Sequence, residues 1–463
     1  MPQFFVPRNA RELAFVVLSE EHDDTEFAAR RLEQAAADQV VSSADRRLAM
    51  ELIYGMIRRE ATLDAILKSF VRRGRQQVEP DLWMILRLGV YQLVLLDGIP
   101  PHAAVHETVE LARRVGRGGW PGFVNGTLRA VSQLITPERV DQPAVDAVPL
   151  ANGRFGKLTK AVFPDPQAQP EGYFAAAYSF PEWLAKRWQK IFSTEELFRL
   201  GTWFNAPQHL SLRVNRLWTS RDEYLALLNA RGTAARAGTF DESIQLEGSV
   251  RVDDLPHFAE GWVSVQDESS MAASLLLNPQ PKERILDLCA APGGKTTHLA
   301  ELQGDLGKIV AVDVQAERLA TVTANAQRLQ LKSITTQLMS KETLDAPTGY
   351  FDGVLVDVPC SNTGVLGKRP EARWRITPYD LVELPKLQRR LLNLALDRVR
   401  PGGRVVYSTC SIDAIENRQV VEQCLSGRAN VMLVEERRHV PGQPADGAYQ
   451  ALLKVGGVTD AAT

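Results

Sequence analysis

Two thiols sit where chemistry is easiest to place. Cys360 ends the run Val356-Asp357-Val358-Pro359-Cys360, and Cys410 lies in Tyr407-Ser408-Thr409-Cys410-Ser411. Each follows an apolar stretch that reads as a buried strand, Phe351 to Val356 and Arg404 to Ser408. Upstream lies a third strand-to-loop element, Ile285-Leu286-Asp287-Leu288-Cys289-Ala290-Ala291-Pro292-Gly293-Gly294-Lys295-Thr296. Strands separated by helical segments imply a parallel, doubly wound sheet, and such sheets bind ligands beyond the carboxyl ends of their strands. Asp357, Cys360 and Cys410 are all expected at that edge. A thiolate there can attack an electrophilic ring covalently.

Methylation of C5 of cytosine needs that chemistry. The carbon is a poor nucleophile until a thiolate adds at C6 and makes it enamine-like. A carboxylic acid such as Asp357, near N3, would stabilise the developing charge. A base must then remove the C5 proton so that the sulfur can leave. The target base has to leave its stack to enter such a pocket. One thiol suffices in principle, and spacing does not say whether Cys360 or Cys410 is the nucleophile. Cys424, in a helix-like run, reads as a small packed hydrophobe.

The elements that would hold a cofactor precede the thiols. Ile285 to Leu288 reads as the first strand, Pro292, Gly293 and Gly294 as a tight turn, and Thr296 to Leu302 as a helix. Glycine lets a ligand approach the backbone, and the helix start offers free N–H groups. A second strand, Lys308 to Val312, ends in Asp313, an acid suited to ribose hydroxyls. The loop lacks both the Gly-x-Gly-x-x-Gly spacing and the Gly-x-x-x-x-Gly-Lys-Ser/Thr spacing of phosphate sites. S-adenosylmethionine, which has no phosphate, fits better.

The chain has 463 residues, 44% of them hydrophobic and 24% charged. That is enough for about three packed domains of roughly 150 residues. Residues 1–140 read as all-helical, 141–170 as a Pro-bearing linker with short ordered pieces, 171–256 as a small α+β module, and 257–463 as an α/β domain. The helical segments expected are Ala10 to Leu18, Ala44 to Arg59 capped by Asp45, Thr62 to Val71, Pro80 to Leu96, Ala103 to Val115 and Phe123 to Leu134. No apolar run reaches the roughly 20 residues of a membrane span. With no signal peptide read at the N-terminus, a cytoplasmic location and no membrane partner are expected. Four cysteines without a Cys-x-x-Cys pair make no disulfide framework, and no metal is expected. The net charge of −2 carries no domain-wide basic footprint, so any RNA-binding surface must be local. Candidate basic runs are Lys68 to Arg75, Lys368 to Arg375, and Lys386 with Arg389 and Arg390. Each also reads as a solvated face.

Together the Asp-Leu-Cys-Ala-Ala-Pro-Gly-Gly-Lys-Thr, Asp-Val-Pro-Cys-Ser-Asn-Thr-Gly and Ser-Thr-Cys-Ser runs resemble the RNA cytosine-5 methyltransferases of the Nop2/Sun/Fmu class. Val265 to Ser270 and Gly367 to Trp374 resemble that family too. Asp45 to Gly55 and Phe123 to Arg129 resemble a NusB-like helical domain, as fused to bacterial members acting on small-subunit ribosomal RNA. The resemblance implies a NusB-like all-α domain, a small α+β RNA-binding module and a Rossmann-like methyltransferase with a mostly parallel sheet. It implies 16S ribosomal RNA as partner, S-adenosylmethionine as cofactor and a monomer. By the same resemblance Cys410 is the nucleophile, Cys360 assists release, and Cys289, Ala290, Ala291, Pro292, Gly293, Gly294, Lys295, Asp313 and Asp357 contact the cofactor. One departure is that Ser340 stands where the family usually has an acid near the adenine. Two other readings compete. A non-catalytic antitermination-type RNA binder would not need the intact cysteines and loop. Amino-group methylation of adenine needs an aromatic where Cys360 stands. For gripping RNA, Lys368, Arg369, Arg373, Arg375 and Arg213 are the expected phosphate contacts.

Overall fold

The computed structural model describes residues 5–19, 28–71, 75–116, 118–248, 250–442 and 445–456, apart from 38–40. The chain forms two compact units, residues 1–207 with 367–375, and residues 208–366 with 376–463.

The first unit opens with helices Ala10–Ser19, Ala28–Ala37, Ser43–Lys68, Pro80–Val94, Pro101–Val115 and Trp120–Ser132. The two segments expected at 44–59 and 62–71 are one continuous helix of 26 residues. Glu60 and Ala61 join them, and both are good helix formers. The cap is Ser42, not Asp45. Ser42 Oγ accepts from the Asp45 N–H at 3.0 Å and donates to Asp45 Oδ2 at 2.6 Å, which puts Asp45 in the first turn. The Pro-bearing stretch carries a three-stranded antiparallel sheet, Ile135–Val140, Phe155–Leu158 and Ala147–Pro149 in that spatial order. Beyond it Tyr173, Phe174, Tyr178, Phe180, Trp188 and Phe204 pack ring against ring.

Residues 367–375 belong to this unit. Arg373 is fully buried in it. Its guanidinium donates to the carbonyls of Arg58 and Ser179 at 3.0 Å and of Phe204 at 3.3 Å, and lies 4.3 Å over the Phe180 ring. Trp374 Nε1 donates to the Ile57 carbonyl at 2.8 Å. Arg373 is therefore an anchor among carbonyls, not a phosphate contact as its basic run suggests. Burial holds its pKa well below the usual guanidinium value. Lys368 and Arg369 are exposed. In the run Lys68 to Arg75, residues 72–74 lie outside the described residues.

The second unit begins with a four-stranded antiparallel sheet in the order Ala235–Ala237, Ser243–Leu246, Ser211–Val214, Val263–Val265. Helix Arg221–Ala230 packs with it and starts in a capping box of Ser220 and Glu223. The larger domain follows: α1 (Glu268–Leu277), β1 (Arg284–Leu288), α2 (Gly294–Leu302), β2 (Lys308–Asp313), α3 (Ala316–Arg328), β3 (Ile334–Leu338), β4 (Phe351–Asp357), α4 (Asp380–Arg398), β5 (Val399–Thr409), α5 (Arg418–Leu425), β6 (Val431–His439) and β7 (Ala448–Val455). Its seven strands lie in the order β3-β2-β1-β4-β5-β7-β6. The first five run parallel, and β7 pairs antiparallel with both neighbours.

Both faces of the central strands β1, β2, β4 and β5 are largely buried, so these strands read as apolar runs, while the edge strands β3 and β6 are mostly exposed. Leu286, Leu288, Val354, Val356, Val405 and Tyr407 pack with Leu391, Leu392 and Ala395 of α4. The alternate residues Ile285, Ile309, Leu355 and Val406 pack with Leu277 of α1 and Leu299 of α2. Cys424 sits in the first of these clusters. No helix among the described residues is long and apolar enough to cross a membrane, and no group of three or more His, Cys, Asp or Glu among them is placed to hold a metal.

Candidate active site

Register brings the carboxyl ends of four parallel strands level. Leu288 pairs with Val312 and Val356, and Asp357 with Ser408. The residues that follow each strand therefore share one edge: Cys289 after β1, Val314 after β2, Val358 to Cys360 after β4 and Cys410 after β5.

After β1 the backbone turns sharply. Cys289 has φ +61° and Gly293 φ +101°. A Cβ on Gly293 would stand 3.0 Å from Val322 Cα in α3, so only glycine fits both the conformation and the space. Asp313 braces the loop from the next strand. Its Oδ2 accepts from the Ala291 N–H at 3.2 Å and its Oδ1 from the Gln315 N–H at 3.2 Å. Lys295 Nζ reaches across to Asp357 Oδ2 at 2.7 Å. Burial works against the Lys295 charge, but Asp357 outweighs it and holds the ammonium above its ordinary pKa.

Asp287 is fully buried on β1. Thr296 Oγ1 donates to its Oδ2 at 2.6 Å, while Oδ1 has no partner among the described residues. Burial pushes its carboxyl up to about 7. An unfolded aspartate titrates near 3.9. Between those values the folded chain holds a proton that the unfolded chain releases, so stability falls as pH rises through the window. Asp287→Asn should flatten that fall. In urea melts from about pH 4.5 to about pH 7.5 the variant should lose less stability than the parent, and parallel losses would refute the assignment.

The two thiols meet. Cys360 Sγ lies 3.1 Å from Cys410 Sγ, although 50 residues separate them in sequence. Cys410 Sγ is also 3.2 Å from Asn362 Oδ1, and Asn362 Nδ2 donates to the Cys360 carbonyl at 3.0 Å. The contact with Cys410, then burial, pushes the Cys360 thiol well above its ordinary pKa. Cys289 is half-buried, and desolvation raises its thiol above the ordinary value. Cys424 is raised to about 11 by burial in the core.

Sequence reasoning missed the residues beneath the thiols. Glu416 is fully buried and bonded to both cysteine loops, and Gln388 of α4 donates to it at 3.0 Å. Asn417 accepts from Thr409 Oγ1 at 2.6 Å and donates to the Ser411 carbonyl at 2.9 Å. In sequence the Glu416-Asn417 pair marks only the start of helix Arg418–Leu425 and names no partner.

Arg213 is also not where the sequence put it. It is fully buried, and its guanidinium meets Glu301 in a bidentate pair at 2.9 and 2.7 Å. It donates as well to Gly294 O at 2.8 Å and Thr297 Oγ1 at 3.0 Å. Inward-facing on a strand with both faces covered, it cannot reach a phosphate. Ser340 engages locally, donating to Glu342 Oε2 at 2.9 Å. Lys386 pairs with Glu383, and Arg389 donates to Gln423.

Comparison with known proteins agrees with this architecture. A family model described as 16S rRNA methyltransferase RsmB/F matches residues 274–454, NusB family matches 8–133, and an RsmF/B-like ferredoxin-like domain matches 180–253. The probable ribosomal RNA small subunit methyltransferase B of Synechocystis sp. is 37% identical over 423 residues, 90% of this chain and 89% of that protein. The ribosomal RNA small subunit methyltransferase B of Klebsiella pneumoniae is 35% identical over 89% of this chain and 88% of that protein. The crystal structure of PH0851 superposes with a TM-score of 0.74 at 25% identity, covering 96% of this chain and 97% of that one. The expected architecture holds: a NusB-like helical part, a ferredoxin-like middle module and a methyltransferase domain with a mostly parallel sheet. With sequence identity sustained along nine-tenths of its length, the chain belongs to the 16S rRNA methyltransferase RsmB/F family.

Proposed function

We propose that this chain transfers a methyl group from S-adenosylmethionine to C5 of a cytosine in 16S ribosomal RNA, through a bond between Cys410 Sγ and C6 of the base. The observation that carries this reading is the pair of sulfurs 3.1 Å apart at the carboxyl ends of two parallel strands. Cys410 thiolate adds to C6, and C5 takes the methyl group. The C5 proton then leaves to a base, the S–C6 bond breaks, and the thiolate is regenerated. The neutral Cys360 thiol assists by donating a hydrogen bond to the departing sulfur. Asp357 is assigned to N3 of the ring: as a carboxylic acid it gives its proton to the negative charge that develops there, leaves a carboxylate that Lys295 holds, and takes the proton back as the ring is restored.

The loop residues suit the cofactor. Asp287, Asp313 and Asp357 surround the Cys289–Lys295 turn, and they act on one another electrostatically. The acids Asp313 and Asp357 beside the turn disfavour a phosphate-bearing dinucleotide and favour a nucleoside that carries a cationic end. Asp287 Oδ1, buried without a partner among the described residues, adds an acceptor there. Cys289, Ala290, Ala291, Pro292, Gly293, Gly294 and Lys295 form the cradle, with Asp313 for the ribose. The bound cofactor supplies an electrophilic methyl on a sulfonium. The NusB-like and ferredoxin-like parts bind the RNA, and the protein acts as a monomer in the cytoplasm.

The test is nucleoside analysis of 16S RNA, taken from cells lacking the activity, after incubation with protein and S-adenosylmethionine. 5-Methylcytidine is expected. Methyl groups on exocyclic nitrogens, or none on cytidine, would overturn the reading.

A further inference from the structure

Glu416 lies after β5 with no exposed surface. Four donors converge on its two oxygens. Ser361 N–H at 2.9 Å and Gln388 Nε2 at 3.0 Å reach Oε1, while Ser361 Oγ and Ser411 Oγ reach Oε2. Ser361 is the neighbour of Cys360, and Ser411 the neighbour of Cys410. Gln388 donates also to the Pro359 carbonyl at 2.9 Å, on the other side of Cys360. Thr363 Oγ1 lies 3.1 Å from Ser361 Oγ and 3.0 Å from Ser411 Oγ, and it accepts from the Ile412 N–H at 3.1 Å. Tyr407, on β5, donates to the Glu416 carbonyl at 2.5 Å, which fixes the backbone from which the carboxylate reaches out.

A buried carboxylate is expensive unless its oxygens meet donors. Apolar packing could cover the same loops without that expense. What apolar packing cannot do is fix two loops from different strands in one register through directional bonds. We propose that Glu416 is a positioning residue that sets the separation of the Cys360 and Cys410 sulfurs, through Ser361 and Ser411. The proposal rests on the reading of the two cysteines given above. Glu416 itself has its oxygens turned to the four donors beneath the thiols, so it holds the pair and takes no part in bond making. Without it, Ser361 and Ser411 keep hydroxyls that can pair with each other, but the Ser361 N–H and Gln388 amide lose their shared acceptor. The loop carrying Cys360 is then free to move away from the loop carrying Cys410.

The experiment compares Glu416→Ala and Glu416→Gln with the parent enzyme. Misplacement by about 1 Å can lower turnover about 100-fold. Glu416→Ala should lower kcat by about that factor, with KM for RNA and S-adenosylmethionine binding within about twofold. Glu416→Gln should recover about tenfold of the loss, because its carbonyl oxygen can still accept from Ser361 and Gln388. A second readout needs no turnover. Phenylarsine oxide bridges two adjacent thiols with loss of one water. The parent should take up one equivalent that resists a monothiol competitor, Cys360→Ala should not, and Glu416→Ala should bind about tenfold more weakly. Parent-like kcat and parent-like arsenical capture in Glu416→Ala would overturn the proposal. So would parallel losses of S-adenosylmethionine binding and kcat in both variants, which is what general collapse of the domain produces. Cys410→Ala run alongside separates the two levels. Activity surviving in it would sink the nucleophile assignment, whereas an inactive Cys410→Ala beside a fully active Glu416→Ala would sink positioning alone.

Discussion

Cys410→Ala should lower methylation by at least about a thousandfold, the scale on which removal of a covalent nucleophile acts. Cys360→Ala should fail differently. It keeps the attacking sulfur and should still form the bond to C6, but it lacks the thiol that lies 3.1 Å from that sulfur. The departing thiolate then loses its hydrogen-bond donor, and a protein–RNA adduct should accumulate. A slow-migrating band on a denaturing gel, present for Cys360→Ala and absent for Cys410→Ala, is the expected pattern. Contact with Cys410 and burial both push the Cys360 thiol up, the direction that suits a hydrogen-bond donor. A protonated thiol is a poor nucleophile but can still donate a hydrogen bond. The opposite pattern, with the adduct formed by Cys410→Ala and activity lost in Cys360→Ala, would exchange the two roles.

The strand ends were readable because sheets buried on both faces need apolar runs, and the loops beyond them must be polar or glycine-rich. That pattern put Asp313, Asp357, Cys360 and Cys410 at one edge, and the register of the sheet has them there. Gly293 was readable for a related reason, since its positive φ and its closeness to Val322 admit no side chain. Glu416 was not readable. It bonds to a serine 55 residues away, and an acid near a helix start normally signals only favourable interaction with the helix dipole. The joined helix Ser43–Lys68 escaped because nothing but apolar spacing marks its middle, and Glu60 and Ala61 interrupt that spacing without breaking the helix. The basic residues were the least readable. An arginine in a mixed run looks the same whether it faces water or carbonyls, and only the fold buries Arg373 and Arg213.

Arg213 allows that distinction to be measured. Arg213→Ala would leave Glu301 buried with its main counter-charge gone, and breaking a buried pair in this way costs about 3–5 kcal/mol. The cost is read as a lower urea midpoint. Burial already pushes the Glu301 carboxyl above its ordinary pKa even with Arg213 present. Without Arg213 the carboxyl must be protonated or carry its charge unpaired. Arg213 also donates to the Gly294 carbonyl and to Thr297, both in the first turn of α2, so the cofactor loop should loosen and S-adenosylmethionine binding should weaken with it. The double variant Arg213→Met, Glu301→Leu removes both charges at once and should regain more than half of the lost stability, because apolar residues of similar size often replace a buried pair at little cost. A phosphate contact behaves otherwise. Its loss leaves the folded chain intact and flattens the salt dependence of RNA binding. A loss of stability under about 1 kcal/mol in Arg213→Ala, together with a flatter salt slope, would return Arg213 to the RNA surface and remove it from the core.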